Sequence, residues 1–349
     1  MIETILADMT KQIDAAALQQ AGEILRSGGL VAFPTETVYG LGADALNAES
    51  SRKIYAAKGR PSDNPLIVHI AKLEDLYRIA AEVPKAAEKL AEKFWPGPLT
   101  MIFKKADCVP YATTGGLDTV AVRMPDNEIA LKLISAGGGY VAAPSANTSG
   151  RPSPTTAQHV AEDMSGRIEM ILDGGSVGIG VESTIVDLSE DVPMILRPGY
   201  INREMLEEVI GEVRLDPALL SVDATVRPKA PGMKYRHYAP KADMIIVEGQ
   251  TEDVVCEINR RIEEEKRAGG KPGVIASEET KDQYVGAVVK SMGSRKDELS
   301  ISRHLYSVLR AFDEEGVSRI FSESFDTPML GTAIMNRLEK AAGHQILEV

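Results

Sequence analysis

Six short strings in this chain set ammonium, guanidinium, hydroxyl and amide groups beside turn-forming residues. The first, Pro34-Thr35-Glu36-Thr37-Val38-Tyr39-Gly40-Leu41-Gly42, puts hydroxyls and glycines directly after the apolar run Leu30–Phe33. Such a string lets a polar ligand approach the backbone closely, although taken alone it also reads as a tight turn. In the second, Lys58-Gly59-Arg60-Pro61, the lysine has a bland account as a complement to a helix dipole. Arg60 lies past the glycine on a proline-fixed loop, where a guanidinium can fork onto phosphate or carboxylate oxygens. Asn64-Pro65 and a short apolar run bearing His69 follow, and a satisfied core histidine is the default reading there. The third, Thr119-Val120-Ala121-Val122-Arg123-Met124-Pro125, has period-two parity that sends Thr119, Ala121 and Arg123 to one face. That face meets either water or an anion, and parity leaves both open.

The fourth string, Pro144-Ser145-Ala146-Asn147-Thr148-Ser149-Gly150-Arg151-Pro152-Ser153, is dense in donors where a solvated connector would carry more charge. The fifth pairs Glu182-Ser183-Thr184 with Leu196-Arg197-Pro198-Gly199, and the sixth is Pro231-Gly232-Met233-Lys234-Tyr235-Arg236-His237-Tyr238-Ala239-Pro240. Each is weak alone. Together they describe a cleft lined by Lys, Arg, Ser, Thr and Asn with few acids, the inventory for a polyanion such as a nucleotide, without a protein nucleophile.

Other chemistries lack their signatures. No phosphate loop of the G-x-x-x-x-G-K-[ST] type and no H-E-x-x-H occur, so a catalytic zinc is not expected and no metal ligand is assigned. Gly40-x-Gly42-x-x-Ala45 resembles a dinucleotide fingerprint, but about twenty residues on stands Arg60 where an acid should hold the ribose, which weakens a nicotinamide dehydrogenase. Lys plus Arg number 39 and Asp plus Glu 51, a net charge of −12, which disfavours a non-specific nucleic-acid coat. Basic residues still cluster locally, at Arg52, Lys53, Lys58 and Arg60 and again between 221 and 241. An RNA-binding or ribosome-assembly module is therefore the rival from another class. Cys108 and Cys256 fit no metal or redox spacing and read as reduced thiols. No run approaches the ~18 apolar residues of a membrane span, and the first ten residues lack a signal peptide's pattern. A cytoplasmic location without membrane contact is the expectation.

The 349 residues are enough for two domains. Helical periodicity occurs at Ala15–Ser27, Glu49–Lys58, Pro84–Trp95, Glu128–Ser135, Thr156–Met164 and Arg203–Ile210. Between these helices, strands are expected at Leu30–Phe33, Leu66–Ile70, Thr100–Phe103, Thr119–Met124, Val141–Ala143, Glu169–Leu172, Thr184–Leu188 and Met194–Leu196. Strict alternation fails, so residues 1–210 are read as an α/β domain with a twisted, mixed parallel and antiparallel sheet and flanking helices. Residues 211–240, with four prolines and the second basic cluster, are read as a linker. Residues 241–349 read as a smaller βαβ, Rossmann-like domain containing a helix capped by Ser300.

These strings, in this order, resemble the YrdC-type L-threonylcarbamoyladenylate synthases in their longer two-domain form, over nearly the whole chain. The resemblance implies a nucleotidyltransferase that converts L-threonine, bicarbonate and ATP to threonylcarbamoyl-AMP, pyrophosphate and water. This is the first step of t6A formation at position 37 of ANN-decoding tRNAs. It implies that Mg²⁺ arrives on ATP, and that a separate threonylcarbamoyl transferase follows, with at most a weak tRNA contact here. Carried onto this sequence, the L-threonine site is Thr37, His69, Arg123, Ser183 and the Ala143 backbone. The ATP site is Lys58, Arg60, Asn64, Thr119, Ser145, Ser153, Arg197 and a linker residue near Tyr235. Lys58 and Arg60 carry the catalytic role by neutralising two anions that repel each other. The linker at Pro231–Pro240 is expected to close over the cleft as a lid.

Overall fold

The computed structural model describes residues 2–219, 230 and 238–349. They divide into two compact units. The first holds residues 2–149, 153–178, 182–219 and 230, and the second holds 150–152, 179–181 and 238–349.

Strands of the first unit are β1 (Ile5–Asp8), β2 (Val31–Phe33), β3 (Gly40–Asp44), β4 (Ile67–His69), β5 (Leu99–Lys104), β6 (Thr119–Arg123), β7 (Val141–Ala142), β8 (Met170–Asp173), β9 (Thr184–Asp187), β10 (Met194–Arg197) and β11 (Arg214–Leu215). They form one sheet in the order β1-β8-β2-β3-β7-β4-β6-β5-β9-β10-β11. Parallel and antiparallel pairs mix: β4 runs parallel to β6, and β6 antiparallel to β5. The mixed α/β sheet read from the sequence is therefore the architecture found.

Because side chains alternate along a strand, the sheet has two distinct faces. On one face Ala32, Leu41, Val68, Val122, Met101, Val186 and Ile195 belong to a continuous core closed by the helices Ala48–Lys58, Lys85–Phe94, Ala157–Met164 and Arg203–Ile210. The opposite face has two parts, both buried. Helices Ala15–Arg26 and Glu128–Ala136 pack over Val31, Phe33, Val141, Met170 and Leu172, with Gly22 letting the two helices meet, since a Cβ there would stand 2.7 Å from Ala136 Cβ. Past them, β4, β6, β5 and β9 present the alternate set Ile67, Ala121, Ile102 and Ile185, with Leu196 and Ala230 packed alongside.

Two regions depart from the sequence reading. Gly40–Asp44 is a strand rather than a turn or nucleotide loop. Its glycines answer a packing need, since a Cβ on Gly42 would lie 2.9 Å from Val141 Cγ1 and 3.0 Å from Phe33 Cε1. The stretch expected to be a linker from Gly211 opens with structure of the first unit. Arg214–Leu215 pairs in parallel with β10, and Val213 is fully buried. The rest of that linker, residues 220–229 and 231–237 with Tyr235 and most of the expected lid, lies outside the described residues.

In the second unit β12 (Asp243–Glu248), β13 (Pro272–Ala276), β14 (Val288–Ser291), β15 (Arg319–Glu323) and β16 (Ile346–Glu348) form an all-parallel sheet in the order β14-β13-β15-β12-β16. The helix expected to be capped by Ser300 is Glu298–Glu315, and its cap is Asp297, whose side chain accepts the Ser300 N–H at 3.1 Å. Among the described residues no helix is long and apolar enough to cross a membrane. Cys108 and Cys256 are free and exposed.

Candidate amino-acid and nucleotide site

Strand register arranges the second part of that face in rows. His69 pairs with Arg123 across β4 and β6, and Arg123 pairs with Thr100 across β6 and β5. The next row inward is Ile67, Ala121 and Ile102, and the third pairs Thr119 with Lys104. A polar row, an apolar row and a second polar end thus lie along a single face.

The polar row is tied to the loop after β2. Thr35 Oγ1 accepts the N–H groups of Thr37 (3.1 Å) and Val38 (3.2 Å) and donates to Val38 O (2.6 Å), which sets the loop conformation. Thr37 Oγ1 then accepts from Arg123 Nη1 at 2.9 Å, while Arg123 Nε reaches Gly97 O at 3.3 Å. Arg123 Nη2 stands 2.6 Å from Glu36 Oε1. Beside it, Ser183 Oγ and Thr100 Oγ1 share a hydrogen bond of 2.8 Å, and Arg197 grips Ser183 through its carbonyl (3.0 Å) and its hydroxyl (3.1 Å). Gly199 makes that corner possible, because a Cβ there would lie 2.4 Å from Thr184 N.

His69 is buried between Phe33, which meets it edge-on, and the carbonyl of Ile67, 3.2 Å from its Nδ1. Burial, with the Arg123 charge second, pushes its pKa down to about 3, outweighing the Ile67 and Val141 carbonyls that favour the cation. The ring is therefore neutral at working pH, and can act as a polar wall without adding charge.

Lys58 and Arg60 arise from one helix end. Asn47 caps the start of the helix Ala48–Lys58, and Gly59, left-handed at φ 62°, ends it. The turn throws Lys58 Nζ onto the carbonyls of Ser145 and Asn147, and Ser145 Oγ donates to Asn147 Oδ1 at 2.6 Å. Ser149 N closes the connection on Lys58 O at 2.9 Å. The donor-rich fourth string is thus held by the lysine of the second. Arg60, also buried, lies along the next loop with Nε on Asn64 O (3.2 Å) and Nη2 on Pro65 O (3.1 Å). Asn64 Oδ1 is buried with no hydrogen-bond partner. Ser153 Oγ donates to Glu182 Oε1 at 2.6 Å, and Ala143 N bonds Ile67 O at 2.8 Å, beside His69.

Most sequence candidates therefore fall into linked groups: Thr37, Arg123, Ser183 and Arg197 through Thr100, and Lys58 with Ser145 and the Asn147 loop. Thr119 stands apart, four residues or roughly 13 Å along the strand from Arg123. It borders a surface recess of about 500 Å³ with Lys104, Asp118, Glu190 and Asp191. The expectation of few acids needs correction, since Glu36 and Glu182 both sit among these groups. Sequence reading also missed Thr100. Its parity on β5 was readable, but its place opposite Arg123 depends on register. Of the first basic cluster, Arg52 lies on the surface with Glu49, and Lys53 Nζ binds Gly28 O at 2.6 Å, so neither serves the site. Among the described residues no group of three or more His, Cys, Asp or Glu could hold a metal ion.

Fold and site define an α/β protein with an open mixed sheet, one face of which gathers buried guanidinium groups, hydroxyls and a neutral imidazole. The family model Sua5/YciO/YrdC, described as "Telomere recombination", matches residues 23–199, and "Threonylcarbamoyl-AMP synthase, C-terminal domain" matches residues 201–343. The chain belongs to this Sua5/YciO/YrdC family. It is 51% identical over 348 residues to the threonylcarbamoyl-AMP synthase of Pyrococcus abyssi, covering 99% of this chain and all of that one. The Bacillus subtilis threonylcarbamoyl-AMP synthase is 49% identical, with 95% of this chain and 94% of that protein covered. The crystal structure of P. abyssi Sua5 complexed with L-threonine superposes with a TM-score of 0.95 at 50% identity, covering 99% of this chain and 100% of that one.

Proposed function

We propose that this chain is a threonylcarbamoyl-AMP synthase, joining L-threonine and bicarbonate to the α-phosphate of ATP with release of pyrophosphate and water. The observation that carries the reading is end-to-end likeness to the P. abyssi enzyme, including its L-threonine complex. In class it is a nucleotidyltransferase working in the cytoplasm, at the first step of t6A formation on tRNA. A separate transferase then carries the threonylcarbamoyl group to position 37, and any tRNA contact of this chain is weak.

The chemistry needs no covalent intermediate on the protein. The neutral amine of threonine captures CO2 derived from bicarbonate, giving a carbamate, and a carbamate oxygen attacks the α-phosphorus as pyrophosphate leaves in line. Two anions must be brought together, which costs Coulomb energy unless fixed cations lie between them. Arg123, with Thr37, Ser183, His69 and the Ala143 backbone, takes threonine. Lys58, Arg60, Asn64, Ser145, Ser153 and Arg197 take the nucleotide, with Thr119 at the far end of β6 and Tyr235 from the connecting stretch. Mg²⁺ enters on ATP as part of the substrate.

Holding both partners in one geometry supplies effective molarity, and fixed donors supply charge stabilisation without reorganisation. The product is a labile mixed anhydride, so excluding water protects it. Ala230, fully buried against Ile67, Ala121 and Ile102, supports a covering role for the connecting stretch.

The test is incubation of the full chain with ATP, Mg²⁺, bicarbonate and L-threonine, followed by mass detection of threonylcarbamoyl-AMP and a pyrophosphate assay. Threonine-dependent formation of both products is the expected result. Pyrophosphate release that ignores threonine and bicarbonate would overturn the assignment.

A further inference from the structure

Glu36 is the anomaly of the polar row. Its side chain is 13% exposed, both carboxylate oxygens are shielded from solvent, and neither has a hydrogen-bond partner. Arg123 Nη2 is ion-paired with Oε1 at 2.6 Å, yet the two make no hydrogen bond, so Nη2 too is buried without a hydrogen-bond partner. A carboxylate placed only to neutralise an arginine is normally held by aligned, often bidentate N–H donors. Here the charges are adjacent while both Glu36 oxygens and Arg123 Nη2 make no hydrogen bond, a costly arrangement unless something else takes it up.

An α-amino acid is the complementary object: its carboxylate needs guanidinium donors, and its ammonium needs carboxylate acceptors. We propose that Glu36 holds the α-ammonium of the amino-acid substrate while Arg123 holds its carboxylate. Glu36 is then the residue that selects an amine over a hydroxyl at the substrate α-carbon. The inference deepens the reading of this site as a threonine pocket and rests on it. Local structure supports it, because Thr35 holds the loop on one side of Glu36 and the Thr37–Arg123 bond holds it on the other, which keeps the backbone of Glu36 beside Arg123.

The experiment compares two ligands and three proteins by titration calorimetry on the full chain without ATP. The ligands are L-threonine and 2,3-dihydroxybutanoate of matching configuration, which carries a hydroxyl in place of the ammonium. The wild type should prefer threonine by on the order of 10- to 100-fold, the range of a hydrogen-bonded charge pair. Glu36→Gln should weaken threonine binding by a similar factor and bring the two ligands within about threefold, and Glu36→Asp should restore part of the preference. In steady state Glu36→Gln should raise the KM for threonine and leave the KM for ATP unchanged. Equal weakening of both ligands would show that Glu36 only braces Arg123, and so would unchanged discrimination in a folded Glu36→Gln protein; either overturns the inference. A wild type that binds no threonine removes the substrate reading itself, an outcome distinct from both.

Discussion

Arg123→Met is the substitution that tests the physical account of the polar row most severely. The change keeps much of the side chain's length and apolar packing but deletes the charge. Arg123 is 5% and Glu36 13% exposed at the side chain, so solvent screens the pair little. Removing one partner of a buried pair leaves the other uncompensated, at about 3–5 kcal/mol. The lost bond to Thr37 lies within that range rather than adding to it. Trp95 is the single tryptophan of the chain and is buried in the core of the first unit, so its fluorescence during urea unfolding reports that unit alone. With a slope of ~2 kcal/mol per molar urea, the midpoint should fall by roughly 1.5–2.5 M at pH 7. Adding Glu36→Gln to Arg123→Met should recover most of the loss at pH 7. A midpoint shift under about 0.3 M, or one that ignores the second substitution, would refute the reasoning.

Four further outcomes follow from the same geometry. His69 titrates near 3 when folded against 6.5 as a free side chain, so between those values the unfolded chain binds more protons. Stability by Trp95 fluorescence should therefore fall as pH drops from about 6.5 toward 3, by up to ~1.4 kcal/mol per pH unit from this group, and His69→Gln should flatten that slope. Arg60→Ala should lower ATP-dependent pyrophosphate release by about 2–4 kcal/mol of barrier, and a wild-type rate would remove Arg60 from the nucleotide site. Gly199→Ala forces a Cβ to within 2.4 Å of Thr184 N and should displace Ser183 and Arg197, raising the KM for threonine together with a loss of stability; unchanged kinetics would separate that corner from the site. Removing residues 220–349, which spares Val213 and β11, should impair turnover or product retention, and full activity in the remainder would exclude a covering role for the connecting stretch.

Sequence alone settled what depends on local chemistry. Period-two parity put Arg123 and Ala121 on one face of β6 and Val120 and Val122 on the other, and the cores divide them that way. The glycine stop signal placed the end of the helix at Lys58 and Gly59. The ordered donor-rich strings carried the family resemblance that the comparisons bear out. Tertiary structure alone decided what depends on non-local register. Gly40–Asp44 looked like a turn because small residues and hydroxyls also mark close packing, and only Phe33 and Val141 show which applies. Thr100 acquires meaning only by pairing with Arg123, and Glu36 only through the direction in which the Thr35 loop aims it. A sequence fixes the type and parity of each side chain, but the distance between residues dozens of positions apart is set by strand order, which arises from packing the whole sheet at once.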